Sequence, residues 1–226
     1  MKRILLSGCA MSLWLLLCAF TPFGVPILPA GPQDHAFDFG LSLSGQKLSC
    51  FGCTSSGEEG CYQLGAQAFA AVRLHEGGQL RLKFSAQLAG AARNNSGDHS
   101  DFAGNIYLNP GAEYMLAIDA NRLALLMGAD LGIWKRNNRD EFEFLSVTPY
   151  LGGLLALRDP GQIRPYFQVR IGASVAPRRT FIGSLAAGVQ FPLGERSRLS
   201  LDAYAGFLPG EGGVVPAAGG NLGLVY

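Results

Sequence analysis

Charged side chains are scarce in this sequence of 226 residues: Asp, Glu, Lys and Arg together make up 15% of it, against about 25% in an ordinary soluble protein. The net charge is only +1, so the chain lacks the concentrated basic face that nucleic-acid binding requires. The sequence also lacks a glycine-rich phosphate loop, a His-Glu-x-x-His motif and a nucleophile elbow. We therefore expect no nucleic-acid partner, no cofactor, no metal and no catalytic residues.

Long apolar runs are missing after residue 30. No uncharged apolar stretch there reaches the roughly 18 residues that a membrane-spanning helix needs. The longest candidate, residues 123–134, is interrupted by Asp130. A bundle of transmembrane helices is therefore excluded as the fold class.

The N-terminal segment has a different pattern from the rest. Lys2 and Arg3 come first, an uncharged apolar stretch follows, and a proline-rich stretch then leads to the small residue Ala30. This succession is typical of a secretory signal. We expect residues 1–30 to be a cleaved signal peptide and residues 31–226 to form one exported domain.

Apolar residues alternate with small or polar residues along the whole of that domain, a pattern typical of β-strands with two different faces. In one segment, for example, Leu80 and Leu82 alternate with Arg81 and Lys83. The pattern predicts ten strands: 37–44, 62–75, 79–92, 105–119, 122–134, 142–157, 163–176, 180–192, 198–208 and 214–226.

The connections between these segments alternate in length. Several are short and turn-like, whereas the intervening ones include two long stretches, 45–61 and 93–104. Three prolines, Pro110, Pro149 and Pro216, would share one height near the outer ends of their strands, where the backbone ladder can end. Short periplasmic turns, longer outer loops and an even strand number are typical of bacterial barrels. The predicted fold is all-β: a closed, antiparallel, up-and-down transmembrane β-barrel.

Aromatic side chains recur at the outward-facing ends of the predicted strands. Such residues would form the girdles that barrels place at the two membrane interfaces. The alternative is that they fill the core of a soluble β-sandwich. The residues concerned are Phe37, Tyr114, Phe167, Phe181, Phe191 and Tyr226.

The C-terminal part of the sequence, residues 147–226, resembles the small outer-membrane β-barrels of the OmpA- and OmpX-like superfamily. The similar segments are 147–153, 164–172, 185–191, 198–204 and 222–226. The resemblance implies that Leu222, Leu224 and Tyr226 form the terminal signal that the barrel-assembly machinery reads during membrane insertion. Its best-known members have eight strands, so eight is the alternative to the ten predicted here.

Several charged residues fall on the predicted inward faces of the strands. Since buried charges persist only when they are paired, we predict a salt-bridged network near the middle of the lumen. Its expected members are Lys83, Glu113, Asp130, Arg170 and Asp202. Such a network would either fill the lumen as a structural plug or form a charged constriction that selects solutes.

Three cysteines, Cys50, Cys53 and Cys61, lie on the first long outer loop. Export favours oxidation, so a disulfide between two of them is expected. A zinc site would need a fourth ligand, which His99 on the second long loop would have to supply.

The function expected from these features is that of a non-enzymatic integral outer-membrane protein, either structural or a narrow passive channel. Its partners would be outer-membrane lipid and the assembly machinery. Two alternatives come from other classes. One is a surface binding protein that acts through loops 45–61 and 93–104, and the other is a hydrolase at the barrel mouth that uses His99 and its acidic neighbours.

Overall fold

The computed structural model describes residues 37–48, 58–93, 105–119, 122–135, 141–159, 161–175, 179–195, 197–210 and 213–226. They form ten strands: β1 Phe37–Leu48, β2 Glu58–His75, β3 Gly78–Arg93, β4 Asn105–Asp119, β5 Leu123–Lys135, β6 Glu143–Ala156, β7 Arg164–Ser174, β8 Thr180–Pro192, β9 Arg198–Gly210 and β10 Gly213–Val225. The predicted signal peptide lies outside the described residues.

Each strand pairs antiparallel with its neighbours in sequence, and β1 also pairs with β10, which closes the sheet into a barrel. The prediction of an all-β, up-and-down barrel with ten strands is thus confirmed, and the alternative of eight strands is wrong. The described part of the chain contains no helix that is both long and apolar enough to cross a membrane.

The first hairpin is longer than predicted. β1 continues to Leu48 and β2 already begins at Glu58, with Leu48 paired to Cys61. The predicted loop 45–61 is therefore too wide, and the predicted loop 93–104 likewise begins one residue too early, since Arg93 ends β3. The reason is that strand pairing needs only backbone hydrogen bonds, which can continue where polar and apolar residues no longer alternate. The alternating pattern in the sequence therefore ends before the strand does.

The barrel has two unlike ends. At the turn end, which also carries Phe37 and Tyr226, the connections span two to seven residues. Gly77 and Gly161 in these connections take positive φ angles of 78° and 85°, a conformation that glycine adopts without steric cost. At the opposite end, here called the loop end, the connections include the two longest in the chain. This asymmetry is the one expected from the sequence.

Successive side chains point alternately to the lumen and to the outside. β7 illustrates this: Tyr166, Gln168 and Arg170 are buried, whereas Phe167 and Val169 are exposed. Around the barrel, many outward-facing large apolar side chains are exposed by 38–66%. A soluble monomer rarely exposes so much continuous apolar surface, whereas this is the surface that a hydrocarbon environment requires. The alternative of a soluble sandwich core is thereby excluded.

The last residue closes the barrel. Tyr226 exchanges two backbone hydrogen bonds with Phe39, of 2.8 and 2.9 Å, and the centroids of their rings lie 5.1 Å apart. Leu222, Leu224 and Tyr226 all face outward, with 38%, 46% and 49% of their surfaces exposed. The end of the chain is therefore both part of the ladder and part of the apolar exterior.

Buried apolar side chains lie in the lumen near the turn end, beside buried polar ones that include Arg164, Gln190 and Ser200. Two clusters of buried side chains lie there, and together they are called the apolar floor. Its members are Met115, Ala124, Leu126, Leu154, Ala156 and Tyr166 in one cluster, and Phe69, Ala71 and Val225 in the other.

Candidate functional site in the barrel lumen

A network of paired charges crosses the lumen just above the apolar floor. Glu113 on β4 lies at its centre. Arg170 Nη2 donates a hydrogen bond of 2.7 Å to Glu113 Oε2, and Arg81 Nη1 lies 3.0 Å from Oε1. The second contact is an ion pair. One carboxylate thus serves two guanidinium groups.

Lys83 and Asp130 form a second ion pair, with 2.7 Å between Lys83 Nζ and Asp130 Oδ1. The Tyr150 hydroxyl joins this pair to the first group. It accepts a hydrogen bond of 2.9 Å from Lys83 Nζ and donates one of 2.9 Å to Glu113 Oε2. A single phenol therefore makes one connected network out of five charged side chains.

The ring of Tyr150 also contributes. Lys83 Nζ lies 4.8 Å from its centroid and the Arg170 guanidinium carbon lies 5.0 Å from it, both within the range of cation–π attraction. Gln168 holds Arg170 from another side. With its amide oxygen turned toward the guanidinium, it accepts hydrogen bonds of 2.7 Å from Nε and 2.9 Å from Nη2.

Two lumen-facing glycines allow side chains on either side of an intervening strand to reach each other. Gly128 pairs with Glu113 on one side and with Tyr150 on the other, and a Cβ atom there would overlap the Tyr150 hydroxyl. Gly111 occupies the same position between Lys83 and Asp130, where a Cβ atom would overlap Asp130. Each pair meets because the residue between its members has no side chain.

Asp202 belongs to a separate cluster. It accepts hydrogen bonds of 2.9 Å from the Tyr166 hydroxyl and of 2.7 Å from the Asn221 amide. Here too a glycine lies between the partners: Gly188 pairs with both Tyr166 and Asp202, and a Cβ atom on it would come within 2.6 Å of each. The same arrangement therefore occurs three times in the lumen.

The network is buried inside the barrel. Four of its five charged side chains have almost no accessible surface, since Glu113 is 1% exposed, Arg170 2%, Arg81 4% and Lys83 6%. The Asp130 side chain is 17% exposed. Buried pairs of this kind stabilise charge only while both partners stay in place. Chemically, the arrangement packs three cations and two carboxylates together, so that each carboxylate has a cationic partner.

The structure brings four of the predicted site residues together, namely Lys83, Glu113, Asp130 and Arg170, and it places Asp202 apart from them. Sequence reasoning did not assign Arg81, Tyr150, Tyr166 or Asn221 to these clusters. A signal for some of these partners is present in the sequence, because Gly111, Gly128 and Gly188 fall on inward positions of their strands.

The predicted site on the outer loops is described only in part. Cys61 lies on β2, paired with Leu48 and Ala91, whereas Cys50, Cys53 and His99 lie outside the described residues. Within the ranges that the structure covers, no three His, Cys, Asp or Glu side chains are grouped as they would be around a metal ion.

The closed barrel, its apolar exterior and its packed polar lumen define the fold of the small outer-membrane β-barrels, which confirms the resemblance at the level of the fold. No protein-family model matches the sequence. No curated protein matches it either.

Among solved structures, the chain is similar to the translocator domain of the autotransporter NalP from Neisseria meningitidis, with a TM-score of 0.52, 9% identity, and coverage of 86% of this chain and 89% of that one. The β domain of the Bordetella autotransporter BrkA has a TM-score of 0.45 and 15% identity, over 85% and 99% of the two chains. A KdgM porin in complex with oligogalacturonate has a TM-score of 0.40 and 8% identity, over 84% and 97%. At 9% identity, the likeness to the NalP translocator domain shows a shared fold and nothing finer.

Proposed function

We propose that this protein is a non-enzymatic, integral outer-membrane β-barrel whose lumen is closed to ions. The observation that carries the proposal is the buried network around Glu113, in which five charged side chains meet above an apolar floor. An ion that crossed the lumen would have to separate these pairs, and breaking a buried pair costs about 3–5 kcal/mol. The apolar floor would then have to be hydrated as well.

The exterior supports the membrane part of the proposal. The outward apolar side chains would face outer-membrane lipid, and the aromatic residues at both ends of the barrel would lie at the two interfaces. On this view, the turn end with both termini is periplasmic and the loop end is extracellular. The segment that ends in Tyr226 would be the part that the barrel-assembly machinery binds.

Two measurements test the proposal. After expression from the full-length sequence, the protein is expected in the outer-membrane fraction, and its unboiled form should migrate differently from its boiled form on a gel. In planar bilayers at high KCl concentration, the wild-type barrel is expected to conduct no current, whereas an open porin inserted by the same procedure should conduct. A stable open-pore conductance from heat-modifiable wild-type protein would refute the closed lumen.

A further inference from the structure

Two prolines interrupt the closed sheet of the barrel away from the ends of their strands. Proline lacks the backbone N–H that a ladder needs, so within sheets it is normally found at edges and bulges. Pro110 on β4 and Pro149 on β6 instead lie within strands that have a neighbour on each side. Each of them marks a break in the pairing with one neighbour, and the two breaks flank the same hairpin, β5–β6.

The first break lies between β4 and β5. Gly111 pairs with Asp130, but positions 109 and 110 have no register partner in β5, although the structure describes all the residues concerned. The pairing then resumes, with residues 106–108 opposite residues 133–135. The sequence suggested that the ladder can end near Pro110, whereas the structure shows a ladder that is interrupted there and continues.

The second break lies between β6 and β7. The register runs from Ala156 to Tyr150, which pairs with Gly172, and residues 143–149 have no register partner among the described residues of β7. A backbone hydrogen bond of 2.8 Å, from the Val175 amide to the Val147 carbonyl, follows above the break. The loop-end half of β6 is thus joined to β7 more loosely than its turn-end half.

The missing donors explain both breaks. In an antiparallel ladder the N–H and C=O groups of one residue point to the same neighbouring strand, and the direction alternates along the chain. The Pro149 carbonyl points to β7, because a Cβ atom on Gly172 would overlap it. The Ala112 carbonyl points to β5, because a Cβ atom on Gly128 would overlap it, and Pro110 has the same orientation as Ala112. The N–H groups that the two prolines lack would therefore have bonded to β7 and to β5.

The part of the hairpin between the two breaks keeps its own pairing. This part, residues 131–135 of β5 and 143–149 of β6, is here called the flap. Its internal ladder runs on to the pair of Trp134 and Glu143 with one bulge, and at its tip Lys135 Nζ lies 5.8 Å from the centroid of Phe142. Segments with few hydrogen bonds to their surroundings open at a lower free energy than the rest of a protein, as cooperative units. The flap has this character, since it is intact within and interrupted on both sides.

The flap joins the intact sheet at Asp130 and Tyr150. Asp130 belongs to the first pair below one break, and Tyr150 belongs to the first pair below the other. Lys83 Nζ binds both, at 2.7 Å from Asp130 Oδ1 and 2.9 Å from the Tyr150 hydroxyl. One ammonium group from β3 therefore holds both residues at the base of the flap.

We propose that the flap opens sideways toward the membrane, with Asp130 and Tyr150 as its hinge and Lys83 as the latch that holds it shut. The inference goes beyond the proposed function, which concerns a closed lumen, by adding a movement of the barrel wall. In the proposed orientation the flap lies in the half of the wall that faces the outer leaflet.

Opening would change what the outer leaflet meets. Ser146 and Thr148 face the lumen from the flap, and each is 6% exposed. Movement of the flap would uncover these hydroxyl groups, whereas the ion pairs of Glu113 lie below the hinge and stay in place. The flap therefore gives a barrel with a packed lumen a way to present polar groups sideways.

The first test is hydrogen–deuterium exchange, followed by mass spectrometry, on the full-length expression product folded into liposomes. Amides of the flap are expected to exchange at least ten-fold faster than those of residues 43–47 on β1. That segment is the internal reference, because it also lies in the loop-end half and its ladders with β2 and β10 are uninterrupted. Equal protection of the two segments would overturn the proposal.

The second test restores the donors. Pro110→Ala combined with Pro149→Ala supplies both missing N–H groups, so exchange in the flap should slow several-fold. Pro216→Ala is the matched control, because Pro216 is also an outward-facing proline but lies in an uninterrupted ladder with β9; flap exchange should equal that of the wild type. If the double variant exchanges as fast as the wild type, the prolines do not create the flap.

The third test removes the latch. Lys83→Met should speed exchange in the flap several-fold, while the turn-end half of the same hairpin, residues 123–127 and 151–155, exchanges as in the wild type. A uniform increase in both halves would show that Lys83 supports the whole barrel and is no latch. Folding is checked by heat-modifiability; should Lys83→Met fail to fold, Tyr150→Phe, which removes one of the two latch contacts, is judged by the same comparison.

Discussion

The Tyr150 hydroxyl donates a hydrogen bond of 2.9 Å to Glu113, although an entire strand, β5, separates the two residues in the barrel wall. The phenol passes over Gly128, which is in register with both. Because the same oxygen accepts a hydrogen bond from Lys83, it joins the two groups of ion pairs.

Replacing Tyr150 with Phe removes that connection and leaves the ring in place. Lys83 and Glu113 each lose a hydrogen bond in a buried site, so we expect the free energy of unfolding to fall by about 1–3 kcal/mol. Urea titration of the liposome-folded protein, read by gel migration, measures the change. Tyr114→Phe is the control: the Tyr114 hydroxyl bonds to His75 at the exposed turn end, so its loss should cost less. Equal losses in the two variants would argue against the joining role of Tyr150.

Gly128→Ala tests the requirement for an empty position between the two partners. The added methyl group would overlap both the Tyr150 hydroxyl and the Ala112 backbone carbonyl, so the ring would be displaced from Glu113 or the strand would have to shift. We expect a loss of stability at least as large as that of Tyr150→Phe. Gly153→Ala, on β6, is the matched control, because its new Cβ atom would meet only Val169 Cγ1, at the ordinary distance of 3.8 Å. If both alanine variants unfold at the same urea concentration as the wild type, the spatial argument is wrong.

For the Lys83–Asp130 pair, we predict that the effects of replacing the two residues on stability are not additive. Lys83→Met should destabilise the barrel by about 3–5 kcal/mol, since it leaves a carboxylate in the lumen without its cation. The double change Lys83→Met with Asp130→Leu should cost less than Lys83→Met alone, because no unpaired charge remains. A double-mutant cycle of urea midpoints measures this. Strictly additive losses would mean that the two residues act independently.

Tyr226→Ala separates two roles of the terminal residue. Its backbone hydrogen bonds with Phe39 remain available to alanine, so refolding into liposomes without other proteins should proceed with only a modest loss of yield. If the segment also binds the assembly machinery, outer-membrane levels in cells should fall far more than the yield in vitro. A parallel loss in both assays would leave barrel closure as the only role of the ring.

The strands, and which of their side chains face the lumen, were predictable because apolar and polar residues alternate within each single strand. A segment such as 79–92 reveals its two faces by itself, and the inward positions of Lys83, Glu113 and Arg170 follow from counting along single strands. The predicted bounds differ from the observed ones mainly in the first hairpin, where polar residues continue the backbone ladder beyond the alternating segment.

The side-chain contacts inside the lumen were harder to predict from the sequence. They depend on the register between strands, and the sequence of one strand does not determine that register. Asp202 illustrates this. Its inward position was predicted correctly, but its partners are Tyr166, two strands away, and Asn221, one strand away. The shear of the closed barrel, which is the stagger between its strands, places these three side chains at the same level along the barrel axis. The sequence predicts which residues face the lumen, and the register decides which of them meet.

The glycines between these partners also constrain how the sequence can change. An alanine at position 128 requires a small residue at position 150 and also a shift of the Ala112 backbone carbonyl. At position 188 it requires smaller residues at positions 166 and 202 and a shift of the Leu201 carbonyl. Substitutions in this lumen should therefore be linked between neighbouring strands, because each of these glycines is in register with the large side chain that covers it. In related chains, we expect covariation between such register partners, with a large residue at one position accompanied by a small one at the other.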